Sequence, residues 1–378
     1  MRFHNPNTNL HFPKPNTPLC FAVNRKRFMD SADRVLAASG SCSDIRRFTL
    51  NSPLHVDSSH TKRWTRNMLN FIISDFILDK TAYDSLVLDE LACKTLVDLK
   101  LDGAFKIPML PEDTSFPALK SLTLVCAHFC SLGEFEKLIS AFPLLEELTV
   151  LSITSLVNLI VELGSMSFDI PNLVYLDYSD DVQRQYPVVK LDSLVEAKLE
   201  LMVNYGDCDG CDPSNLFKGL RHVQKLSLSF PQTVEIFDYY RDAVPVFENV
   251  SHLSLTTDIG FCSIFLDSTV STICTEKISK CTHSRHRDFV KLSSPAKVLE
   301  LAINEGSSDE MEQIKRFLED FSCLELVKIR SFPKDDEEKL SLATRLLMLP
   351  RASSKCKIQV EFCSETSPIP CSYRIGKM

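Results

Sequence analysis

One short pattern of apolar and polar positions recurs along most of the chain, in the form apolar-x-x-apolar-x-apolar. Its eleven copies are IRRFTL from Ile45, ISDFIL from Ile73, LVDLKL from Leu96, LKSLTL from Leu119, LEELTV from Leu145, LVYLDY from Leu173, LVEAKL from Leu194, VQKLSL from Val223, VSHLSL from Val250, AKVLEL from Ala296 and LELVKI from Leu324. The residue between the last two apolar positions is polar in ten of the eleven copies, and Ile77 is the exception. A strand with one face in water needs this alternation, so each copy predicts a β-strand.

The spacing of the copies predicts how these strands are assembled. Successive copies begin 28, 23, 23, 26, 28, 21, 29, 27, 46 and 28 residues apart, and nearly all of these intervals fall in the range of a leucine-rich repeat. The interval of 46 residues corresponds to roughly two such units. Residues 45–329 are therefore predicted to form an α/β leucine-rich-repeat solenoid, with a curved parallel sheet and with helices or irregular connectors on its convex side.

Two connectors show helical periodicity. In LGEFEKLISAFP, four apolar residues recur with the spacing i, i+3, i+4 and i+7, and these are Phe135, Leu138, Ile139 and Phe142. This spacing places them on one face of an amphipathic helix. In HTKRWTRNMLNF, Trp64, Met68 and Phe71 share one stripe, so the single tryptophan is predicted to lie in the core.

The end of the repeat region carries the signals of a terminal cap. Ser307 and Glu310 are spaced as a capping box that starts a helix in SDEMEQIKRFLEDF. A second helix, DEEKLSLATRLLML, is predicted to end at Pro350. The segment KCKIQVEF then predicts a final strand that pairs with the last repeat and covers its open edge. We interpret PRASSK, between them, as a structural joint, with a phosphorylated or basic recognition loop as the alternative.

Composition narrows the choice of partners and surroundings. The 378 residues are 44% hydrophobic and 24% charged, so the chain can bury a large core. The net charge is −8 and no block of basic residues occurs, so nucleic acid is not expected as a partner. The first twenty residues contain no continuous apolar run of the kind a secretory signal needs, and the most apolar long window carries Glu146, Glu147 and Glu162. We therefore expect a protein of the cytoplasm or nucleus that does not bind membranes, with reduced cysteines.

No catalytic or cofactor-binding constellation is found in the sequence. The ten glycines do not match the spacing of dinucleotide, P-loop or nucleophile-elbow motifs, and H-E-x-x-H is absent. We therefore predict a protein that is not an enzyme and needs no cofactor. A zinc site is the one chemical alternative, and its candidate ligands are Cys208, Cys211, Cys274, Cys281, His283 and His286. Because the first pair lies some 60 residues from the others, no metal site is predicted and these residues are expected to be ordinary thiols and imidazoles.

The concave strand face is the predicted binding surface. It is lined by the residues two and four places after the start of each repeat, since alternate residues of a strand share one face. In the central repeats the candidates for protein binding are Tyr175, Asp177, Glu196, Lys198, Lys225 and His252. Repeat proteins bind partners through such extended rows, whereas the simpler interpretation is a merely solvated face.

Several longer segments resemble the plant family of proteins that combine an F-box, leucine-rich repeats and an FBD domain. The segments are RFMDSADRVL at 27–36, CKTLVDLKLDG at 93–103, FPALKSLTL at 116–124, FPLLEELTV at 142–150, IPNLVYLDYSDD at 170–181, LDSLVEAKLEL at 191–201 and LPRASSKCKIQVEF at 349–362. The resemblance implies an unstructured tail over residues 1–22, a repeat domain over 23–290, an FBD-like α/β cap over 291–363 and a C-terminal tail over 364–378. It also implies the substrate-recognition role of an SCF-type (cullin) ubiquitin-ligase receptor, acting on a protein target.

The resemblance weakens at the start of the chain. Family members usually begin with an F-box, a helical module that binds the ligase adaptor. Residues 1–26 contain four prolines, at positions 6, 13, 15 and 18, and no F-box is recognised in them. Adaptor binding is therefore not expected of this segment, and the alternatives are an F-box-less relative that acts as a decoy, one without function, or a metal-binding module over residues 208–286.

Overall fold

The structure is a computed structural model, and its described residues form two compact units, Met1–Asp192 and Ser193–Met378. It describes residues 8–12, 29–31, 33–34, 45–52, 59–60, 63–64, 74–85, 94–107, 115–129, 132–151, 154–155, 164–203, 210–230, 232–257, 295–303, 306–333 and 335–363.

The first unit contains a ladder of parallel strands. Its strands are β1 (Thr8–Phe12), β2 (Ile45–Ser52), β3 (Asp75–Ser85), β4 (Asp98–Ile107), β5 (Ser121–Val125), β6 (His128–Phe129), β7 (Glu147–Leu151), β8 (Thr154–Ser155), β9 (Phe168–Asp169), β10 (Tyr175–Asp181) and β11 (Val189–Lys190). The ladder runs β1-β2-β3-β4-β5-β7-β10, and every described pair in it is parallel. Strands β6 and β8 extend it from the end of β4, while β9 and β11 pair separately. Helix α1 (Leu132–Ser140) lies in the connection between β6 and β7.

The second unit repeats the same arrangement. Its strands are β12 (Glu196–Met202), β13 (Lys225–Phe230), β14 (His252–Thr257), β15 (Val298–Ile303), β16 (Leu326–Ser331) and β17 (Lys357–Phe362). All five neighbouring pairs are parallel and follow chain order. The α-helices are α2 (Ser214–Gly219), α3 (Gln232–Tyr239), α4 (Ser308–Asp320) and α5 (Asp336–Leu347), with a 3-10 turn at Arg241–Ala243.

The apolar positions of the repeat pattern form the core of each unit. In the first unit, the last two apolar positions of neighbouring repeats align in the strand register as Leu99 with Leu122 and Leu101 with Leu124, and all four are buried. In the second unit, Val327 and Ile329 are aligned with Leu299 and Leu301 in the same way. Burial of these stacked rows supplies the main stabilising free energy, since each fully buried Leu, Ile or Val side chain contributes about 1.5–3 kcal/mol.

All eleven predicted repeat strands are present, and they confirm an α/β leucine-rich-repeat fold. The predicted helix in LGEFEKLISAFP is α1, and Trp64 is buried as expected, with its Nε1 donating to Asp33 Oδ1 at 2.7 Å. Met68 and Phe71, of the same predicted stripe, lie outside the described residues.

Two expectations need correction. Residues 8–12 lie in the expected unstructured tail, yet they form β1, because the free backbone edge of β2 accepts a parallel partner. The 46-residue interval does not hold two units of the ladder, because His252 of β14 pairs directly with Val298 of β15. No repeat strand is therefore inserted between these two.

The terminal cap has the predicted order of helix, strand, helix, strand. Both hydrogen bonds of the capping box are present, from the Ser307 amide to Glu310 Oε2 at 2.8 Å and from the Glu310 amide to Ser307 Oγ at 3.3 Å. In PRASSK, buried Ser353 donates to the Leu324 carbonyl at 2.5 Å, and Arg351 Nη1 donates to the Cys356 carbonyl at 2.9 Å. The Ser353 bond ties the segment to the last repeat, and the Arg351 bond ties it to the start of β17, in agreement with the interpretation as a structural joint.

Candidate protein-binding surface

The polar side chains between the buried rows form an outward strand face in each unit. The burial pattern of β12 shows the alternation, because Ala197, Leu199 and Leu201 are buried while Glu196 and Lys198 are not. Successive strands pair without a shift over these positions, so residues at the same place in the repeat lie side by side. The face therefore consists of straight rows of side chains, one from each strand.

In the first unit, one such row is dominated by carboxylates, and we call it the acidic row. It follows the strand register across six strands and consists of Arg47, Asp75, Asp98, Ser121, Glu147 and Tyr175. Arg47 Nη2 lies 3.3 Å from Asp75 Oδ1, and Ser74 Oγ donates to Asp75 Oδ2 at 2.7 Å. The row thus contains three carboxylates and one guanidinium, and the guanidinium is paired with Asp75.

Asp75 and Asp98 are hydrogen-bonded neighbours with opposite pKa shifts. Burial raises the pKa of Asp75, but hydrogen bonds from Ser74, Asp98 and Arg47 outweigh burial and hold this pKa below its usual value. Burial, the hydrogen bond to Asp75 and the negative charges of Asp75 and Glu147 raise the pKa of Asp98. Asp98 is therefore the carboxyl of the pair that takes up a proton first.

The second row of the first unit contains the candidate Asp177. Its register neighbour is Thr149 of β7, and Tyr175 Oη donates to Asp177 Oδ2 at 3.2 Å. Tyr175 and Asp177, both predicted for binding, are therefore in direct contact.

In the second unit, the predicted residues bring opposite charges together. Glu196, Lys225 and His252 occupy one row on β12, β13 and β14, and Lys225 Nζ donates to Glu196 Oε2 at 3.2 Å. Lys198 lies in the adjacent row beside Ser227 and is exposed. This ion pair is largely solvated, so it contributes about 0–1 kcal/mol to folding and keeps its charges accessible to a partner.

A charged cluster lies farther along this face, around Glu300 of β15. Its Oε1 accepts from Lys328 Nζ at 2.7 Å and lies 3.4 Å from His252 Nε2. Burial raises the pKa of Glu300, but the hydrogen bond from Lys328 and the charges of His252, Lys328 and Arg330 outweigh it and lower this pKa. Three strands are linked by this one carboxylate.

The structure places all six predicted residues on the outward strand faces. It joins Tyr175 to Asp177 and Glu196 to Lys225, and it places His252 against Glu300, which the sequence argument did not include. Other charged residues of the faces were also left out, among them Asp75, Asp98, Glu300 and Lys328. They occupy the same two positions of the repeat as the predicted ones, so extending the rule from the central repeats to every repeat would have found them.

The zinc alternative falls mostly outside the described residues. Of its six candidate ligands only Cys211 is described, and it is buried, with its carbonyl accepting from Tyr240 Oη at 2.7 Å. Within the described ranges, no group of three or more His, Cys, Asp or Glu side chains is arranged to hold a metal ion. In those same ranges, no helix has both the length and the apolar character needed to cross a bilayer.

Comparison with known proteins identifies relatives along most of the chain. No protein-family model matches it. F-box protein At3g62430 of Arabidopsis thaliana is 37% identical over 384 aligned residues, which cover 89% of this chain and 87% of the relative. F-box/LRR-repeat protein At3g58980 of the same plant is 35% identical, covering 92% of this chain and 67% of the relative. F-box/LRR-repeat protein At3g62440 is also 35% identical, covering 79% and 76%.

The relatives agree with the fold described above. All three are named as F-box proteins and two of them also as leucine-rich-repeat proteins, and the strand ladders of this chain have the period and alternation of such repeats. With this similarity spanning most of each sequence, the chain belongs to the plant F-box/leucine-rich-repeat protein family.

Proposed function

We propose that this protein is a non-enzymatic interaction protein that binds a protein target on its outward strand faces, in the manner of an SCF-type substrate receptor. The observation that carries the proposal is the arrangement of charged rows over a buried apolar ladder. A packed core fixes the position of each polar side chain, so the rows are preorganised for a partner. The F-box in the relatives' names supports a role in ubiquitin-ligase recognition, and the cytoplasm or nucleus is the compartment in which we expect it.

The six predicted residues and the charged residues beside them are our candidates for the contact surface. The acidic row of the first unit favours basic groups, whereas the Glu196–Lys225 pair and the Glu300 cluster present both signs of charge. Such patterns favour correct partners mainly through the rate and the specificity of association.

A comparative proximity-labelling experiment tests this proposal. The tagged full chain would be compared with Lys198→Glu/Lys225→Glu, which reverses two charges on the strand face, and with Lys218→Glu/Lys355→Glu, which reverses two exposed charges on α2 and in the PRASSK joint. We expect a set of proteins labelled by the wild type and the control but lost from the face variant. If both double variants label the same proteins as the wild type, the strand face is not the binding surface.

Adaptor binding is a separate part of the proposal. Four prolines interrupt residues 1–26, so we expect this segment not to form the helical surface that binds a purified ligase adaptor, and we expect binding once an F-box is fused ahead of Met1, which leaves β1 in place. Adaptor binding by the unmodified chain at about micromolar affinity or better would instead locate an adaptor site within the repeats.

A further inference from the structure

The last strand of the second unit has one edge that no described strand covers. Strand β17 pairs only with β16 among the described residues. The amides of Lys357 and Cys363 donate toward that neighbour, to the carbonyls of Glu325 and Ser331, both at 2.9 Å. Since alternate residues of a strand direct their backbone groups to opposite sides, the N–H and C=O groups of Ile358, Val360 and Phe362 point away from β16.

Apolar side chains beside this edge are incompletely covered. In β16, Val327 and Ile329 are fully buried, but their register partners Ile358 and Val360 are only half-buried, and Phe362 is 37% exposed. At the end of α5, Leu347 and Met348 are 59% and 80% exposed. Arg351 links this helix end to the start of β17, because it donates to the carbonyls of Leu347 at 3.3 Å and of Cys356 at 2.9 Å.

We propose that the free edge of β17 binds the same edge of a second copy of this chain, in an antiparallel arrangement about a two-fold axis through Gln359. This surface is independent of the target-binding proposal. The sequence KIQVEF is complementary to itself in that register, since Lys357 then lies opposite Glu361 of the second copy, and Glu361 opposite its Lys357.

The backbone pattern fits the same register. Ile358 lies opposite Val360 of the second copy, and both have their N–H and C=O groups directed outward, so the two strands can form four hydrogen bonds. Lys357 and Glu361 then belong to a pair without backbone hydrogen bonds, in which opposing side chains come closest. Glu361 already accepts from Arg330 at 3.4 Å and from Gln359 at 3.2 Å, which orients its carboxylate on the face where the second lysine arrives.

Charge also selects this closed dimer over open stacking. A parallel, in-register pair would place Lys357 against Lys357 and Glu361 against Glu361, which is unfavourable for adjacent strands. The antiparallel pair uses the β17 edges of both copies at once, so this contact closes at two copies. Because a single strand pairing buries little area, we expect a dimer of roughly 1–100 µM dissociation constant, aided by Leu347, Met348 and Phe362.

Charge reversal combined with sedimentation velocity of the full chain tests this proposal. Lys357→Glu places two like-charged pairs across the axis, and we expect it to weaken the dimer about tenfold or more. Lys357→Glu/Glu361→Lys restores opposite charges and should return the dissociation constant to within about threefold of the wild type. Lys355→Glu, the same change just outside β17, is the matched control and should leave the dimer unchanged.

Mixing two single variants gives a second, independent readout. Lys357→Glu carries two acidic residues at these positions and Glu361→Lys carries two basic ones, so each alone should dimerise about tenfold or more weakly than the wild type, while an equimolar mixture should form a heterodimer. A wild type that remains monomeric up to about 100 µM would overturn the proposal, and so would a Lys357→Glu variant that dimerises like the wild type or a double variant that is not rescued.

Discussion

Neighbouring residues of one repeat strand have opposite roles, and the pair Leu122 and Thr123 shows this most simply. The Leu122 side chain is buried between the equivalent leucines of β4 and β7, at positions Leu99 and Leu148. Thr123 projects from the outward face between Lys100 and Thr149 and is partly exposed. One step along the chain therefore separates a residue that stabilises the fold from one that is available for binding.

Substitution of these two residues should have very different costs. Leu122→Ala leaves a cavity in the row and should lower the free energy of unfolding by about 2–5 kcal/mol. Thr123→Ala removes only a partly exposed hydroxyl and methyl group, and should cost less than about 1 kcal/mol. Urea denaturation measures both values, and equal losses would show that the inward and outward positions are wrongly assigned.

The contributions of two outward-facing carboxyl groups to folding stability should change with pH in opposite directions. The folded protein holds the Asp98 proton more tightly than the unfolded chain does, so the stabilising contribution of this group is complete below its ordinary pKa of 3.8 and is lost as pH rises through its raised folded pKa. Glu300 has a lowered folded pKa, so its contribution is present above its ordinary pKa of 4.5 and is lost as pH falls through the folded value.

Amide substitutions separate these two cases. Asp98→Asn should stabilise the protein at pH 7 by about 0.2–1 kcal/mol, because it removes a like charge beside Asp75 and its side-chain amide supplies a hydrogen-bond donor. Glu300→Gln should destabilise it at pH 7 by a similar amount, and both differences should shrink toward pH 4. Thermal melting from pH 4 to pH 7 follows both effects. Changes of the same sign at pH 7 would contradict the charge environments described for these rows.

At the scale of the element, the repeat pattern predicts strands better than it predicts their contacts. The spacing of apolar residues was sufficient to predict the eleven strands. The last two apolar positions of each copy are separated by one polar residue, and this alternation is typical of a strand with one buried face. Strand β1 was missed because a free backbone edge, rather than an apolar repeat, accounts for its pairing. The contact between His252 and Glu300 was missed because the two residues are 48 positions apart in the sequence. The connection between β14 and β15 was expected to hold two repeat units, so these two strands were not expected to be neighbours. The FBD-like domain boundaries remain a prediction.

One glycine decides how α4 begins in the terminal cap. Gly306 precedes the capping box and has φ +70°, a conformation in which other residues are strained. A Cβ atom at this position would also overlap Leu342 Cδ1, which belongs to the buried side of α5. The start of α4 and its packing against α5 therefore both depend on the absence of a side chain at Gly306.

Gly306→Ala should consequently be costly for so small a change. The left-handed backbone alone costs about 1–2 kcal/mol for a residue with a Cβ atom, and the contact with Leu342 adds to it. Ser308→Ala, in the exposed first turn of the same helix, should cost less than about 0.5 kcal/mol. Differential scanning calorimetry compares the two, and an unchanged melting temperature for Gly306→Ala would mean that α4 and α5 can separate at little cost.

At the scale of the whole molecule, stability depends on how the ladders end. In the second unit β17 covers the edge of β16, and the bond from Ser353 to the Leu324 carbonyl holds the connecting segment against the last repeat. Each repeat contacts mainly its neighbours, so loss of a terminal one exposes the apolar row of the next. The cap therefore has a structural role beyond any partner it binds.

Deletion of residues 350–378 tests that role. We expect the shortened chain to aggregate, because the unpaired edge of β16 and its buried Val327 and Ile329 would face water. Deletion of residues 364–378 alone leaves β17 in place and should preserve a soluble protein. Size-exclusion chromatography with light scattering distinguishes the outcomes, and a soluble, equally stable product of the longer deletion would show that β17 is not a cap.

The spacing of side chains along the rows of the second unit nearly matches the rise of an α-helix per turn. Parallel strands lie about 4.8 Å apart, whereas side chains on one face of a strand are roughly 6.6 Å apart along it. An α-helix advances about 5.4 Å per turn, so a helix laid along such a row meets one strand per turn and falls out of step by half a strand spacing only after about four strands. From β12 to β15 the row presents Glu196, Lys225, His252 and Val298. A helix complementary to this row would carry a basic residue, two hydrogen-bond acceptors and an apolar residue on four successive turns.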